Sequence, residues 1–107
     1  MFLVTEKTLP VVIKWNRNAV KQLLAAILFI EENGFASYAK ELEDNILSRI
    51  RTLPKTPELY TLDKYRKDND GSYYAFETHH YRISYRVRKN EIRIIRIRHA
   101  SRKVLKY

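Results

Sequence analysis

The feature that most restricts the fold of this chain is a period-two pattern carried twice in succession near its C-terminal end. Tyr81, Ile83, Tyr85 and Val87 alternate with Arg82, Ser84, Arg86 and Arg88, and only an extended strand sends successive side chains to opposite faces. One face is apolar and the other is a row of cations. After a short turn at Lys89 and Asn90, Ile92, Ile94, Ile95 and Ile97 interleave with Arg93, Arg96 and Arg98 in a second strand of the same kind. The step from Ile94 to Ile95 breaks the alternation, which predicts either a β-bulge there or a strand buried on both faces.

The rest of the chain supplies what such a hairpin must pack against. Val11, Val12, Ile13 and Trp15 form a β-rich run after Pro10, and Asn16 carries a side-chain oxygen suited to capping a following helix. From Arg17 to about Asn33, Ala19, Val20, Leu23, Leu24, Ile27 and Ile30 recur at three-and-four spacing, the mark of an amphipathic helix with a wide apolar stripe. Gly34 is a natural stop. A second helix is predicted from Ser37, with Glu41 near its first turn, Ala39, Leu42, Ile46, Ile50 and Leu53 on its inner face, and Pro54 as its end. The short break between the helices predicts an antiparallel helical hairpin. A polar connection with its own turn spans 54 to 72, and Ser72 to Thr78 resumes strand-like composition. His79 and His80 then fall where a turn is expected.

The predicted fold is therefore α+β: an N-terminal strand, a helical hairpin, and a three-stranded antiparallel meander, with the helices on one face of a small sheet. At 107 residues the whole chain, 1–107, reads as a single domain. With no cysteine it can hold no disulfide, thiol nucleophile or zinc-thiolate site. The longest apolar run, Leu23 to Ile30, is far short of the roughly 20 residues a membrane span needs. Glu6 and Lys7 interrupt any leader-like segment at the start. These features point to a soluble, cytoplasmic protein with no membrane partner.

Charge is the strongest functional signal. From His79 onward ten lysines and arginines face one acid, Glu91, an excess equal to the formal charge of +9 carried by the whole chain. The preceding residues are neutral in sum. A basic surface confined to one hairpin and its tail predicts an anionic partner, nucleic acid or an acidic protein segment. The alternative for Arg82, Arg86 and Arg93 is the ordinary solvated face of a sheet. Tyr73, Tyr74, Phe76, Tyr81 and Tyr85 gather in the same region, where exposed rings can stack on bases and buried ones simply fill the core.

The element order, the helical hairpin closing on Leu53-Pro54, and above all the run YRISYRV followed by EIRIIRIRHASR resemble the RelE/ParE superfamily of toxins from type II toxin–antitoxin pairs. The resemblance covers nearly the whole chain from Val11 onward. It implies a small toxin neutralised by a cognate antitoxin with an acidic or amphipathic segment. One branch cleaves messenger RNA on the ribosome and another inhibits DNA gyrase; an inactive, antitoxin-binding relative is a third possibility.

Ribosome-dependent RNA cleavage is the leading expectation, with gyrase inhibition as the alternative. Cleavage through the ribose 2′-hydroxyl needs a base, cations on the phosphate, and an acid for the leaving oxygen. By resemblance the positions are His99, Arg102, Arg82 and Tyr107, with His99 the first choice for acid or base because its unperturbed pKa lies near neutrality. Arg86, Arg93, Arg96 and Arg98 on the strands, and Lys64, Arg66 and Lys67 in the connection, are the expected nucleic-acid contacts; the cleaving branch often places lysines or a glutamate in that connection, where Lys64, Arg66 and Lys67 could serve, with Glu58 a weaker option. The tail after Arg102 departs from the pattern, since Lys103-Val104 stands where relatives often carry an acid and a proline. No metal motif is present in the sequence, and the resemblance implies no cofactor.

Overall fold

The computed structural model describes residues 11–101, and they form one two-layer α+β unit. Strand β1 (Val12–Trp15) leads into helix α1 (Arg17–Glu32) and helix α2 (Ala36–Thr52), followed by β2 (Thr61–Leu62), β3 (Tyr73–Thr78), β4 (Tyr81–Val87) and β5 (Glu91–His99). The sheet order is β1-β5-β4-β3-β2. β1 runs parallel to β5, and the remaining pairs are antiparallel. The predicted meander is thus the middle of a five-stranded sheet, flanked on one side by β1 and on the other by β2. Two residues between Leu59 and Asp63 are too short a run to show a period, which is why β2 leaves no trace in the sequence pattern.

Both helices lie on one face of the sheet, α1 against β5 and α2 against β3. Ile83, Tyr85, Ile92, Ile94 and Ile97 from the strands meet Leu23, Ile30, Leu42, Ile46, Ile50 and Leu53 in a single buried cluster. Truncating any of the fully buried aliphatic members to alanine costs about 2–5 kcal/mol. α1 ends in a Schellman motif: Gly34, at φ +88°, donates to the Glu31 carbonyl at 3.0 Å and Phe35 to the Ile30 carbonyl at 3.1 Å. Every predicted inner residue of α2 is buried.

Three expectations are corrected. On α1 the buried residues are Ala19, Leu23, Ala26 and Ile30, while Val20 and Leu24 face outward. The helix is apolar around more than half of its circumference, and only one side can lie on α2 and the sheet. Asn16 makes no side-chain cap on α1; its oxygen accepts instead from Arg93 Nη1 at 3.1 Å. Glu41 lies beyond the first turn of α2, which holds no acid, and its carboxylate stands 3.6 Å from His79 Nε2.

The break at Ile94-Ile95 is a β-bulge. Ser84 pairs with Arg96 and Tyr85 with Ile94, so Ile95 has no partner of its own on β4. The bulge resets the phase of β5. Ile92, Ile94 and Ile97 all reach the core, and Arg93, Arg96 and Arg98 all fall on the register of the opposite, helix-free face, opposite Arg86, Ser84 and Arg82. Without it, Ile97 and Arg96 would exchange faces. His79 and His80 form the tight β3–β4 turn with φ of 52° and 67°, left-handed values that histidine adopts more readily than most residues.

Candidate functional site

The helix-free face is where the arginine rows meet, and the segment after β2 crosses it. Asp63 is buried there and its Oδ1 accepts from Arg82 Nη2 at 2.9 Å. Arg82 Nη1 donates to Glu77 Oε2 at 3.0 Å, and the Tyr65 ring lies against the same guanidinium. The segment is pinned by Asn69, whose amide donates to the carbonyls of Asp63 and Tyr73. Its far end holds Arg86: Nε donates to Ser72 Oγ at 3.0 Å and Nη2 reaches Asp70 Oδ2 at 3.4 Å. Ala75 and Ser84, at the centre of this face, are buried.

These contacts change the meaning of the charge asymmetry. Acids that are distant in sequence are folded onto the basic hairpin, so Arg82 spends its charge on Asp63 and Glu77 rather than on a partner. Burial opposes that charge, yet the two carboxylates outweigh it and hold the Arg82 pKa above its ordinary value. Arg82 Nε is buried without a hydrogen-bond partner. Asp70 is likewise held below the usual carboxylate range, first by the Ser72 hydroxyl and backbone N–H and then by Arg86.

Beyond this strap two adjoining grooves open, the first on this face and the second at the edge of β5, against the start of α1. One, of about 260 Å³, is lined by Arg66, Tyr73, Arg86, Arg88, Glu91 and Arg93, together with Asn16 and Ile95. Tyr73 is clasped there by guanidinium groups, that of Arg66 at 3.9 Å and that of Arg86 at 4.6 Å from the ring centre. Arg93 donates from Nε to Glu91 Oε2 at 2.9 Å, and that bond first of all keeps the Glu91 carboxyl below its ordinary range. The second groove takes in Arg17, Arg96 and Arg98 with the amides of Asn16, Asn18 and Gln22, and it also touches Ile95.

His99 is elsewhere. Its register partner is Tyr81, on the helix-covered side, and its ring stands edge-on to Tyr81 with centroids 5.0 Å apart. Nδ1 accepts from the Ser101 backbone N–H at 3.2 Å and lies 2.6 Å from Ser101 Oγ, so the neutral ring carries its proton on Nε2. The groove beside it is bounded by Gln22, Ala25, Phe29, Tyr81 and Arg98. Arg82 and His99 therefore occupy opposite faces of the sheet. Arg102 and Tyr107 lie outside the described residues.

Of the expected nucleic-acid contacts, Arg66, Arg86, Arg93, Arg96 and Arg98 line the two grooves, while Lys64 lies over the Tyr65 ring and Lys67 is exposed on the strap. Sequence reasoning left out Arg17 and Arg88. Arg88 continues the alternation of β4 and was legible; Arg17, on the first turn of a helix, carried no signal linking it to β5. Phe76, Tyr81 and Tyr85 are core rings, and Tyr74 stacks on Tyr85 with centroids 5.7 Å apart. No three His, Cys, Asp or Glu side chains form a metal-holding group among the described residues. None of their helices is long and apolar enough to cross a membrane.

Residues 13–104 match the family described as ParE toxin of type II toxin-antitoxin system, parDE. The chain belongs to this ParE toxin family. A solved structure titled "Chromosomal ParDE TA system from P. aeruginosa" is similar to it at 19% identity and a TM-score of 0.66, covering 85% of this chain and 97% of that one. A second, "The structure of YoeB dimer from Staphylococcus aureus", is also 19% identical, with a TM-score of 0.48 over 82% of this chain and 94% of that one. No curated protein matches the chain. Membership in the ParE family makes the protein a toxin of a type II pair and implies an antitoxin partner. The helical hairpin, open sheet and arginine grooves described above are this ParE toxin's own surfaces.

Proposed function

We propose that this ParE toxin arrests growth by binding DNA gyrase and stopping its reaction, with no bond-making chemistry of its own, and that it acts in the cytoplasm until its antitoxin silences it. The observation that carries this reading is the separation of the groups that RNA cleavage would require. His99 belongs to the helix-covered side, while Arg82 belongs to the open side and is held there by two carboxylates. A base at His99 and a phosphate clamp at Arg82, divided by the sheet, cannot converge on one phosphodiester. The two grooves offer cations and amides, and the one carboxylate among their described lining residues, Glu91, is already engaged by Arg93.

The antitoxin's place in this reading is the outer side of α1. Leu24 and Leu28 are exposed by 60 and 55%, and Val20 extends the same row at four-residue spacing. An apolar stripe of this kind at helical spacing suits the apolar face of an amphipathic segment.

Purified gyrase and purified toxin test the main claim. The expected outcome is loss of supercoiling at near-stoichiometric toxin, retained by His99→Ala. Unaffected gyrase, with messenger RNA cut by the same preparation on translating ribosomes, would return the reading to cleavage.

A further inference from the structure

We propose that the two arginine grooves act as one track that holds the phosphodiester backbone of duplex DNA. The grooves share Asn16 and Ile95, so they meet at the bulge in β5. On one side of that point lie Arg66, Arg86, Arg88 and Arg93, and on the other Arg17, Arg96 and Arg98. Among the described residues, Glu91 is the one acid lining either groove. The bulge is what makes the track continuous, because it brings Arg96 and Arg98 into phase with Arg93.

The chemistry of the lining favours nucleic acid over protein. The centre of a protein interface is apolar and depleted of charge, whereas interfaces with DNA are polar and strongly positive. Among the described residues around the track the only aliphatic side chain is Ile95, and the rest are guanidinium groups, amides, the Tyr73 phenol and the Glu91 carboxylate held by Arg93. The surface suited to protein is the apolar row of Val20, Leu24 and Leu28 on the outer side of α1, none of which lines the track. Every cation among the described lining residues is arginine, whose planar fork meets two phosphate oxygens at once.

The same lining favours a duplex over a single strand. Binders of single strands stack bases on open aromatic platforms, and here the one ring among the described lining residues, Tyr73, is clasped by Arg66 and Arg86. What the track offers is contact with phosphates, which positions a duplex without reading its sequence. Duplex DNA rather than duplex RNA follows from the proposed action on gyrase, and on that point alone the inference rests on the preceding section.

Fluorescence anisotropy with the purified toxin, a labelled DNA duplex and a salt series tests the proposal without gyrase present. Binding should weaken steeply with salt. Arg17→Ala with Arg98→Ala should weaken it about tenfold or more and make the log–log salt slope shallower by about 2 units. Arg17 is exposed and Arg98 half-buried; Arg88→Ala, at an exposed position, is an independent second variant, with a slope change of about 1. Arg51→Ala with Lys55→Ala, on the far end of α2 and its exit, should leave binding unchanged. Absence of salt-dependent binding, an equal loss in the Arg51 and Lys55 variant, or tighter binding to the single strand, to duplex RNA or to a polyglutamate peptide would overturn it. Duplex binding without gyrase inhibition would leave the track standing and remove the gyrase reading. Gyrase inhibition without duplex binding would do the reverse.

Discussion

Replacing Asp63 with alanine should destabilise the protein more than any other single change on the open face. The Asp63 carboxylate is fully buried and Arg82 is only 12% exposed, with Nε already unpaired. Without Asp63, Nη2 also loses its acceptor, and Glu77, which is half exposed, is left as the guanidinium's one carboxylate. Breaking a buried pair by removing one partner costs about 3–5 kcal/mol, because the other charge stays buried and uncompensated. For a domain of this size each kcal/mol lowers Tm by about 4–8 °C, so the expected fall is more than about 12 °C. Arg82→Met should cost a similar amount. Combining Asp63→Leu with Arg82→Met should recover most of the loss, since an apolar pair of similar volume removes both desolvation penalties. Urea unfolding at neutral pH of Asp63→Leu, Arg82→Met and their combination closes the cycle and gives the coupling directly. A coupling below about 0.5 kcal/mol, with the double variant losing the sum of the two singles, would refute the buried-pair account. The folded double variant should also keep its action on gyrase, because Arg82 lies outside the arginine track.

Further expectations follow from other contacts. Burial pushes the Tyr85 phenol well above its ordinary range, and its hydroxyl donates to the Pro57 carbonyl at 2.9 Å. The stabilisation tied to the neutral phenol is complete below the ordinary tyrosine value of about 10 and is lost as pH rises beyond it. Tyr85→Phe should therefore lower stability by about 1 kcal/mol at neutral pH and flatten the alkaline limb of a pH–stability curve. Deleting Ile95 should leave a folded protein that loses less than about 3 kcal/mol, because Ile92, Ile94 and Ile97 still alternate with Arg93, Arg96 and Arg98; an unfolded product by circular dichroism would contradict this. Leu24→Asp with Leu28→Asp should leave Tm nearly unchanged and weaken antitoxin binding at least about tenfold by calorimetry, whereas full affinity would move the antitoxin off α1.

The sequence pattern revealed most where a period met a single interruption. The doubled isoleucine at 94 and 95 marked the bulge, the glycine at 34 marked the helix end, and the paired histidines at 79 and 80 marked a turn with left-handed backbone. α1 was recognisable as a helix but not in its rotation, because Val20, Leu24 and Leu28 form a second apolar row beside the buried one. The site was less legible. The row of arginines was evident, but the partners that occupy it were not: Asp63 is 19 residues from Arg82, and Asp70 is 16 from Arg86. No local period reports such pairs, since they depend on a strap crossing the sheet. The same distance effect hid Arg17, which joins Arg96 and Arg98 only after β1 has docked beside β5.

The most direct test of the account is a paired assay on one toxin preparation, following supercoiling by purified gyrase and the integrity of messenger RNA on translating ribosomes. The account predicts that supercoiling stops, that message stays intact, and that His99→Ala alters neither result. Cut message that His99→Ala restores to full length, with gyrase unaffected, would contradict it.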